Sequence, residues 1–294
     1  MKAALWTVHL EDFLLTGRVE GKKQKTLKWY REILTPFVRF VDQEGLSQET
    51  LRKYVNSLVD RLRITTVDTH IRAIKAFLRF LYREGHLEED LSKTLKRPRL
   101  PKQFPHVLND EQVFALLKAP NRKTWEGFRN YVMLLTFLDT GLRLSELLTL
   151  TVDRVNLVRG SLLVLGKGEK EREVYMGRTL KREMSRWLKM RGFFPYEDRV
   201  FVTRDGRPLK KRGVEQILRR LAEKAGITGV RCSPHTLRHT FATNFVRNGG
   251  DVFTLQRILG HANIETCMVY VHMSGKHIQE SMLRYSPIDR MERG

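Results

Sequence analysis

Several short stretches of this sequence hold side chains able to grip an oxyanion or to attack one. Arg143 lies in Thr140-Gly-Leu-Arg-Leu-Ser-Glu-Leu147 and Lys167 in Gly166-Lys-Gly-Glu-Lys170. His235 and Arg238 lie in His235-Thr-Leu-Arg-His239, His261 in Leu259-Gly-His-Ala262, and Tyr270 in Met268-Val-Tyr-Val-His272. Arginine suits the gripping task, because its planar fork donates two hydrogen bonds to non-bridging oxygens and keeps its charge. Arg143 follows the apolar run 131–138, where a solvated arginine is out of place, and the step from His235 to Arg238 puts both on one helix face. Other routes to phosphoryl chemistry lack their residues. Metal-assisted cleavage uses clustered carboxylates, and zinc uses paired His or Cys at ligand spacing. His235 and His239 stand one helical turn apart, but Thr236 and Leu237 follow His235 where a His-Glu-x-x-His site needs its glutamate. The glycine-bearing stretch at 166–169 contains no Gly-Lys-Ser/Thr, so it is not a nucleotide-binding loop. These residues point to phosphoryl transfer without metal or nucleotide, using fixed cations and a side-chain nucleophile.

The charge balance names the class of partner. The 294 residues carry 54 Lys+Arg against 33 Asp+Glu, a formal net charge of +21. Both the first hundred residues and the remainder are basic, so a polyanion that touches both is expected, and nucleic acid is the commonest. A membrane surface, or solubility alone, is the competing explanation of that charge. Hydrophobic residues make up 41%, enough for packed cores and against a disordered basic tail. The two cysteines, Cys232 and Cys267, exclude a disulfide framework and fit a reducing compartment. No apolar run approaches a membrane span or a secretory signal, so a cytoplasmic protein is expected. The tracts 22–25 and 96–99 resemble nuclear localisation signals, as basic loops of DNA-binding domains do.

The elements that must position these residues fall into two domains. Residues 1–95 read as helical, with helices near 6–15, 26–40, 47–62 and 66–83. In the last of these Ile71, Ile74, Phe77, Leu78 and Leu81 recur at helical spacing. Arg72, Lys75, Arg79 and Arg83 form a second stripe beside them, free of acidic residues from 69 to 83, and are expected to track phosphates. Residues 96–107 hold Pro98, Pro101 and Pro105 and read as a stiff linker, with Lys96, Arg97, Arg99 and Lys102 as further DNA contacts. Such a tether between two basic domains suggests a clamp around an anionic rod. Residues 108–294 form the second domain, with a buried helix at 131–138, a hairpin of strands 161–165 and 171–176 with Lys167 at its tip, and another strand at 200–203. Helices are expected at 213–225, 234–247, 252–259 and 264–271. Ser233-Pro234 and Asp251 mark starts, and Gly249-Gly250 and Gly260 mark stops. The fold class is mainly α with a small antiparallel β-sheet.

Arginine, hairpin lysine, His-x-x-Arg, Gly-His and tyrosine, in this order, resemble the tyrosine recombinase (phage integrase) family. The likeness spans the second domain, and the helical first domain with its basic linker is similar to that family's core-binding domain. The resemblance implies a site-specific DNA recombinase that cuts and rejoins through a 3′-phosphotyrosyl intermediate and a Holliday junction. Tyr270 would be the nucleophile, and a positive field and a base would be needed to activate its phenol. Arg143 and Arg238 would grip the scissile phosphate, His235 would match the general acid/base position, and His261 would hydrogen-bond the phosphate. Lys167 would protonate the departing 5′-oxygen, and Glu146 would support the pocket. No cofactor is implied, because the phosphotyrosyl linkage conserves the bond energy.

The implied partner is a double-stranded recombination site bound by a homotetramer, with no membrane. The chain fits a two-domain Xer-like or transposon-encoded type without a further arm-binding domain, although the ending Arg284-Tyr-Ser-Pro-Ile-Asp289 departs from the usual Xer ending. The tail 271–294 is expected to dock on a neighbouring protomer through Ile278, Met282 and Tyr285. The alternatives are a type IB topoisomerase-like relaxing enzyme and a non-cutting DNA-binding regulator. Ser145 lies too far along the chain for a serine recombinase nucleophile. Cys267 reads as a small buried residue, and His239 and His272 read as structural groups.

Overall fold

The computed structural model describes residues 5–100, 105–166, 171–260 and 264–274. The chain divides into two compact units, Met1–Lys102 and Gln103–Gly294.

The first unit is built from four helices, α1 (Leu5–Val19), α2 (Gln24–Glu44), α3 (Gln48–Val59) and α4 (Ile64–Arg83), closed by a 3-10 turn at Leu91–Lys93. Helices α1 and α2 run several residues beyond the expected ends, and Pro36 lies inside α2 without stopping it. Ser47 caps α3 by accepting a hydrogen bond from the Thr50 amide at 3.1 Å, as its place before Glu49 and Thr50 suggests. The apolar stripe of α4 is buried throughout and meets Leu34, Phe37 and Leu51 in one core.

The second unit wraps helices around a buried central one. After α5 (Asp110–Lys118) comes α6 (Trp125–Thr140), whose start is fixed by the Thr124 hydroxyl accepting from the Gly127 amide at 3.1 Å. Its residues Val132, Met133, Leu134 and Phe137 are wholly buried, as a helix apolar on every side requires. The short α7 (Leu144–Thr149) leads into the antiparallel sheet β1 (Val155–Asn156), β2 (Ser161–Leu165) and β3 (Glu171–Tyr175), in the order β1-β2-β3. The hairpin pairs Ser161 with Tyr175 and Val164 with Arg172.

Helices α8 (Arg178–Arg191), α9 (Lys211–Lys224), α10 (Pro234–Arg247), α11 (Val252–Leu259) and α12 (Glu265–Ser274) follow among the described residues. Helix α8 is absent from the reading of the sequence. Its Lys and Arg residues mask an apolar edge of Leu180, Met184 and Trp187, all buried. The expected strand at 200–203 is not a sheet member among the described residues: it makes the isolated bridge Val202 to Pro208, with a second, Thr151 to Arg199, just before it. Side chains take its carbonyls instead. The Trp187 indole donates to Val200 at 3.0 Å, and Arg129 donates to Val202 at 2.9 Å. The third strand of the sheet is β1.

Candidate active site

Two helix ends and one strand bring the arginines together. Helix α6 ends at Gly141 with φ of +61° and α11 ends at Gly260 with φ of +63°, the left-handed backbone that glycine adopts without a Cβ penalty. At Gly141 an added Cβ would also lie 2.4 Å from the Phe241 ring. The chain leaving Gly141 reaches Arg143, just before α7, whose amide donates to Glu146 Oε2 at 2.8 Å and whose Nη1 donates to Oε1 at 2.9 Å. Arg238 projects from the first turns of α10, which the Ser233 side chain caps by accepting from the Thr236 amide, with Pro234 at the first helical position.

The last carbonyls of α11 and its cap each take a different arginine. Ile258 O accepts from Arg172 Nε at 2.8 Å, Leu259 O from Arg238 Nη2 at 2.7 Å, and Gly260 O from Arg143 Nη2 at 3.3 Å. Arg238 Nη1 also donates to Gly141 O at 2.6 Å, which ties the ends of α6 and α11 through one guanidinium. A helix C-terminus carries partial negative charge and unsatisfied carbonyls, so it holds cations that would otherwise repel one another.

Arg172, on β3, is a site residue that the sequence reading does not single out. It donates to both oxygens of Glu146, Nη1 to Oε1 and Nη2 to Oε2, each at 2.8 Å. Glu146 is 2% exposed and shared between Arg143 and Arg172. Burial alone would raise its pKa, but the hydrogen bonds from Arg172 and Arg143 outweigh that and bring it down to about 2. Arg238, 5% exposed, is pushed down to about 10 by burial first and then by Arg143 and Arg172, and stays charged at neutral pH. Arg143 is more accessible than Arg238, with a side chain 30% exposed.

Tyr270 lies on α12, which packs on α10. It is 1% exposed among Phe241, Leu255, Leu259 and Cys267. Its hydroxyl is 2.7 Å from Nδ1 of His239 on α10. Burial pushes the phenol up to about 12, with Arg238 opposing. His239, expected to be structural, is thus the histidine on the phenol, while His235, one turn earlier on α10, is exposed. Cys267 is buried and forms no disulfide, as expected of a small packing residue. Lys167 and His261 lie outside the described residues, as do the side chain of His272 and the tail positions Ile278, Met282 and Tyr285.

The basic stripe of the first unit has partners of its own. Arg72 donates to Asp68 at 2.9 Å, Lys75 to Leu95 O at 2.8 Å, Arg79 to the Ser92 hydroxyl at 3.3 Å and Arg83 to Glu84 at 3.0 Å. Arg97 donates to both oxygens of the wholly buried Asp68, at 2.7 and 3.0 Å, and holds that carboxyl below its usual range. The stripe therefore anchors residues 91–97 to α4 while keeping Arg72, Arg79 and Arg83 exposed; Lys96 and Arg99 are exposed as well. Lys102 lies outside the described residues. Among the described residues no three His, Cys, Asp or Glu side chains gather where a metal ion could be held, and no helix is long and apolar enough to cross a membrane.

Comparisons with known proteins identify the family of the chain. The pattern of the phage integrase family matches residues 106–277, and that of the phage integrase N-terminal SAM-like domain matches residues 10–86. The chain is 33% identical to the tyrosine recombinase XerD of Oceanobacillus iheyensis over 292 residues, covering 95% of this chain and 98% of that protein. It is 31% identical to XerD of Staphylococcus aureus, with the same coverage. Among solved structures, XerA recombinase superposes with a TM-score of 0.54 at 27% identity, covering 96% of this chain and 99% of that one. XerH bound to its palindromic difH substrate, in a post-cleavage complex, gives a TM-score of 0.73 at 21% identity, covering 92% and 82%. The second likeness concerns the fold. Carried by the family match across most of the catalytic unit and by relatives covered almost end to end, the conclusion is that this chain belongs to the phage integrase family and is an enzyme of the tyrosine recombinase kind.

Proposed function

We propose that the chain cuts and rejoins double-stranded DNA at specific sites, with Tyr270 as nucleophile and Arg143 and Arg238 as the clamp on the scissile phosphate. The observation that carries this reading is the convergence of Arg143 and Arg238 on consecutive carbonyls, Leu259 and Gly260, at the end of the helix that precedes α12 and its tyrosine. Guanidinium groups held in a fixed array neutralise charge on a pentacoordinate phosphorus without reorganising during the reaction. Glu146 and Arg172 keep the Arg143 side chain in place.

In the cleavage step the phenolic oxygen of Tyr270 bonds to phosphorus and the bond to the 5′-oxygen breaks. The products are a 3′-phosphotyrosyl linkage and a 5′-hydroxyl. Lys167 gives the leaving oxygen its proton, and His235 and His261 serve the phosphate as general acid/base and hydrogen-bond donor. Religation to a second strand reverses these events and leads through a Holliday junction, so no ATP is consumed, and the guanidiniums rather than a metal ion meet the phosphate charge. The exposed arginines of α4, with Lys75, Lys96, Arg97, Arg99 and Lys102, supply sequence-independent phosphate contacts. The working assembly is a tetramer on two synapsed sites, in the cytoplasm, with the tail beyond residue 271 docking on a neighbouring protomer.

The test uses a duplex carrying a site that the full chain selects from a pool of random sequences, nicked so that the cut strand loses its 5′-hydroxyl fragment. Wild-type protein should form a covalent adduct that survives denaturation, in EDTA as well as in buffer, and Tyr270→Phe should form none. An adduct that persists in Tyr270→Phe, or that vanishes on adding EDTA, overturns the reading.

A further inference from the structure

The phenol of Tyr270 is in contact with a group that has no assigned role. His239 Nδ1 lies 2.7 Å from the Tyr270 hydroxyl, across 31 residues of sequence, with the two rings tilted at 43° and their centroids 5.9 Å apart. Both sit on helices whose packing fixes them: α10 is buried against α6, and α12 against α10. His235, to which the family likeness gives the general acid/base position, is exposed on the turn before.

We propose that His239, in place of His235, is the proton acceptor for Tyr270, its Nδ1 taking the phenolic proton as the phenolic oxygen bonds to phosphorus, while His235 keeps its role at the phosphate. This rests on the reading of Tyr270 as the nucleophile. The balance of the step is complete: the O–H bond of Tyr270 breaks, N–H and P–O bonds form, the P–O bond to the 5′-carbon side breaks, and the leaving oxygen takes a proton from the general acid. Religation returns both protons. The role requires the tautomer with hydrogen on Nε2, so that the Nδ1 lone pair faces the hydroxyl.

The environment keeps the imidazole in the state that can accept. Burial first, then His235 and Arg238, hold His239 below the usual histidine range, so it is neutral at pH 7. The phenol, at about 12, is far less acidic than the conjugate acid of its partner. The proton therefore does not cross before the reaction. It moves in step with formation of the bond to phosphorus, when the phenolic oxygen loses basicity, which is the circumstance in which general-base catalysis contributes most.

The experiment uses the full chain and the nicked duplex described above, with single-turnover adduct formation as the readout. His239→Asn is the informative variant, because the asparagine amide occupies the place of Nδ1 and keeps a hydrogen bond to the phenol, yet cannot take up a proton. His239→Ala is the companion that removes both. Each is made with tyrosine or with 3,5-difluorotyrosine, a much more acidic phenol, at position 270. The expected result is adduct formation at least a hundredfold slower in both variants, duplex affinity within threefold of wild type, and recovery by difluorotyrosine to within tenfold of the wild-type chain carrying the same residue. Adduct formation by His239→Asn within threefold of wild type overturns the proposal, as does a loss that the acidic phenol does not recover. The failure of the underlying reading looks different: an adduct formed by Tyr270→Phe, or none formed by wild type, removes the nucleophile itself.

Discussion

Glu146→Gln is the perturbation whose size follows most directly from the geometry. The wild-type carboxylate is 2% exposed and receives four hydrogen bonds from Arg143 and Arg172. The amide keeps the shape, loses the charge, and presents an N–H₂ group to guanidinium donors. Because the folded-state pKa, about 2, lies below the ordinary value of 4.5, the carboxylate stabilises the fold fully above pH 4.5. That contribution is lost as pH falls through the folded value. The gap corresponds to about 3 kcal/mol at neutral pH, taking ~1.4 kcal/mol for each tenfold change in the ionisation constant.

That figure agrees with the roughly 3–5 kcal/mol expected when one partner of a buried ion pair is removed. At pH 3 under half should remain, about 1.4 kcal/mol. Urea unfolding of wild type and Glu146→Gln, followed by fluorescence from pH 7 to pH 3, measures the difference directly, because the other carboxyls titrate in both proteins. At neutral pH the catalytic unit of the variant should also melt lower by roughly 6–12 °C. A difference in unfolding free energy below 1 kcal/mol at pH 7, or one that stays constant down to pH 3, would refute the assignment of Glu146 as the ionised centre of this cluster.

Other predictions bear on activity and on the backbone. Arg238→Ala should abolish adduct formation while leaving duplex affinity within a few-fold, since the basic surface supplies most of the binding; gel shifts and adduct gels on the same samples separate the two. Lys167→Ala should slow cleavage and regain speed on a duplex whose 5′-bridging oxygen is replaced by sulfur, a leaving group that needs no acid. A slow variant that sulfur does not rescue removes Lys167 from that role. Gly141→Ala should destabilise the catalytic unit by about 2–5 kcal/mol in urea titrations, combining left-handed backbone strain with the clash on Phe241.

The parts of the molecule legible in the sequence are those in which local signals agree. The α4 stripe, the Ser233-Pro234 start of α10, the Gly260 stop of α11 and the hairpin 161–165 with 171–175 all combine periodicity with capping or turn residues. Arg143 is legible because it follows the apolar run 131–138 and Arg238 because it shares a helix face with His235; in the fold both meet the carbonyls that end α11. Arg172 did not, because Glu171-Arg172-Glu173 reads as a solvated strand end. The available signal was alternation: Arg172 shares a face with Val174, which is buried, so an arginine was being aimed inward. Asp68 was overlooked for a similar reason. It stands one residue before the acid-free window and one turn before Arg72, where it neutralises part of the stripe that looked purely positive. The strand-like Val200-Phe-Val202 misled because its carbonyls are taken by indole and guanidinium groups distant in sequence, which no local pattern records. His239 reads as structural in the sequence because its contact with Tyr270 joins two helices 31 residues apart.

The end of α11 is a fixed gauge for three arginines. Its acceptors are main-chain oxygens, so replacing the partly buried side chain of Ile258 leaves every one of them standing. Length is another matter. Deleting or inserting one residue within α11 turns its last turn by about 100° and shifts it by about 1.5 Å along the axis, which presents three guanidiniums with the wrong oxygens at once. The exposed positions of α11 can therefore change identity without disturbing this array, whereas its residue count cannot.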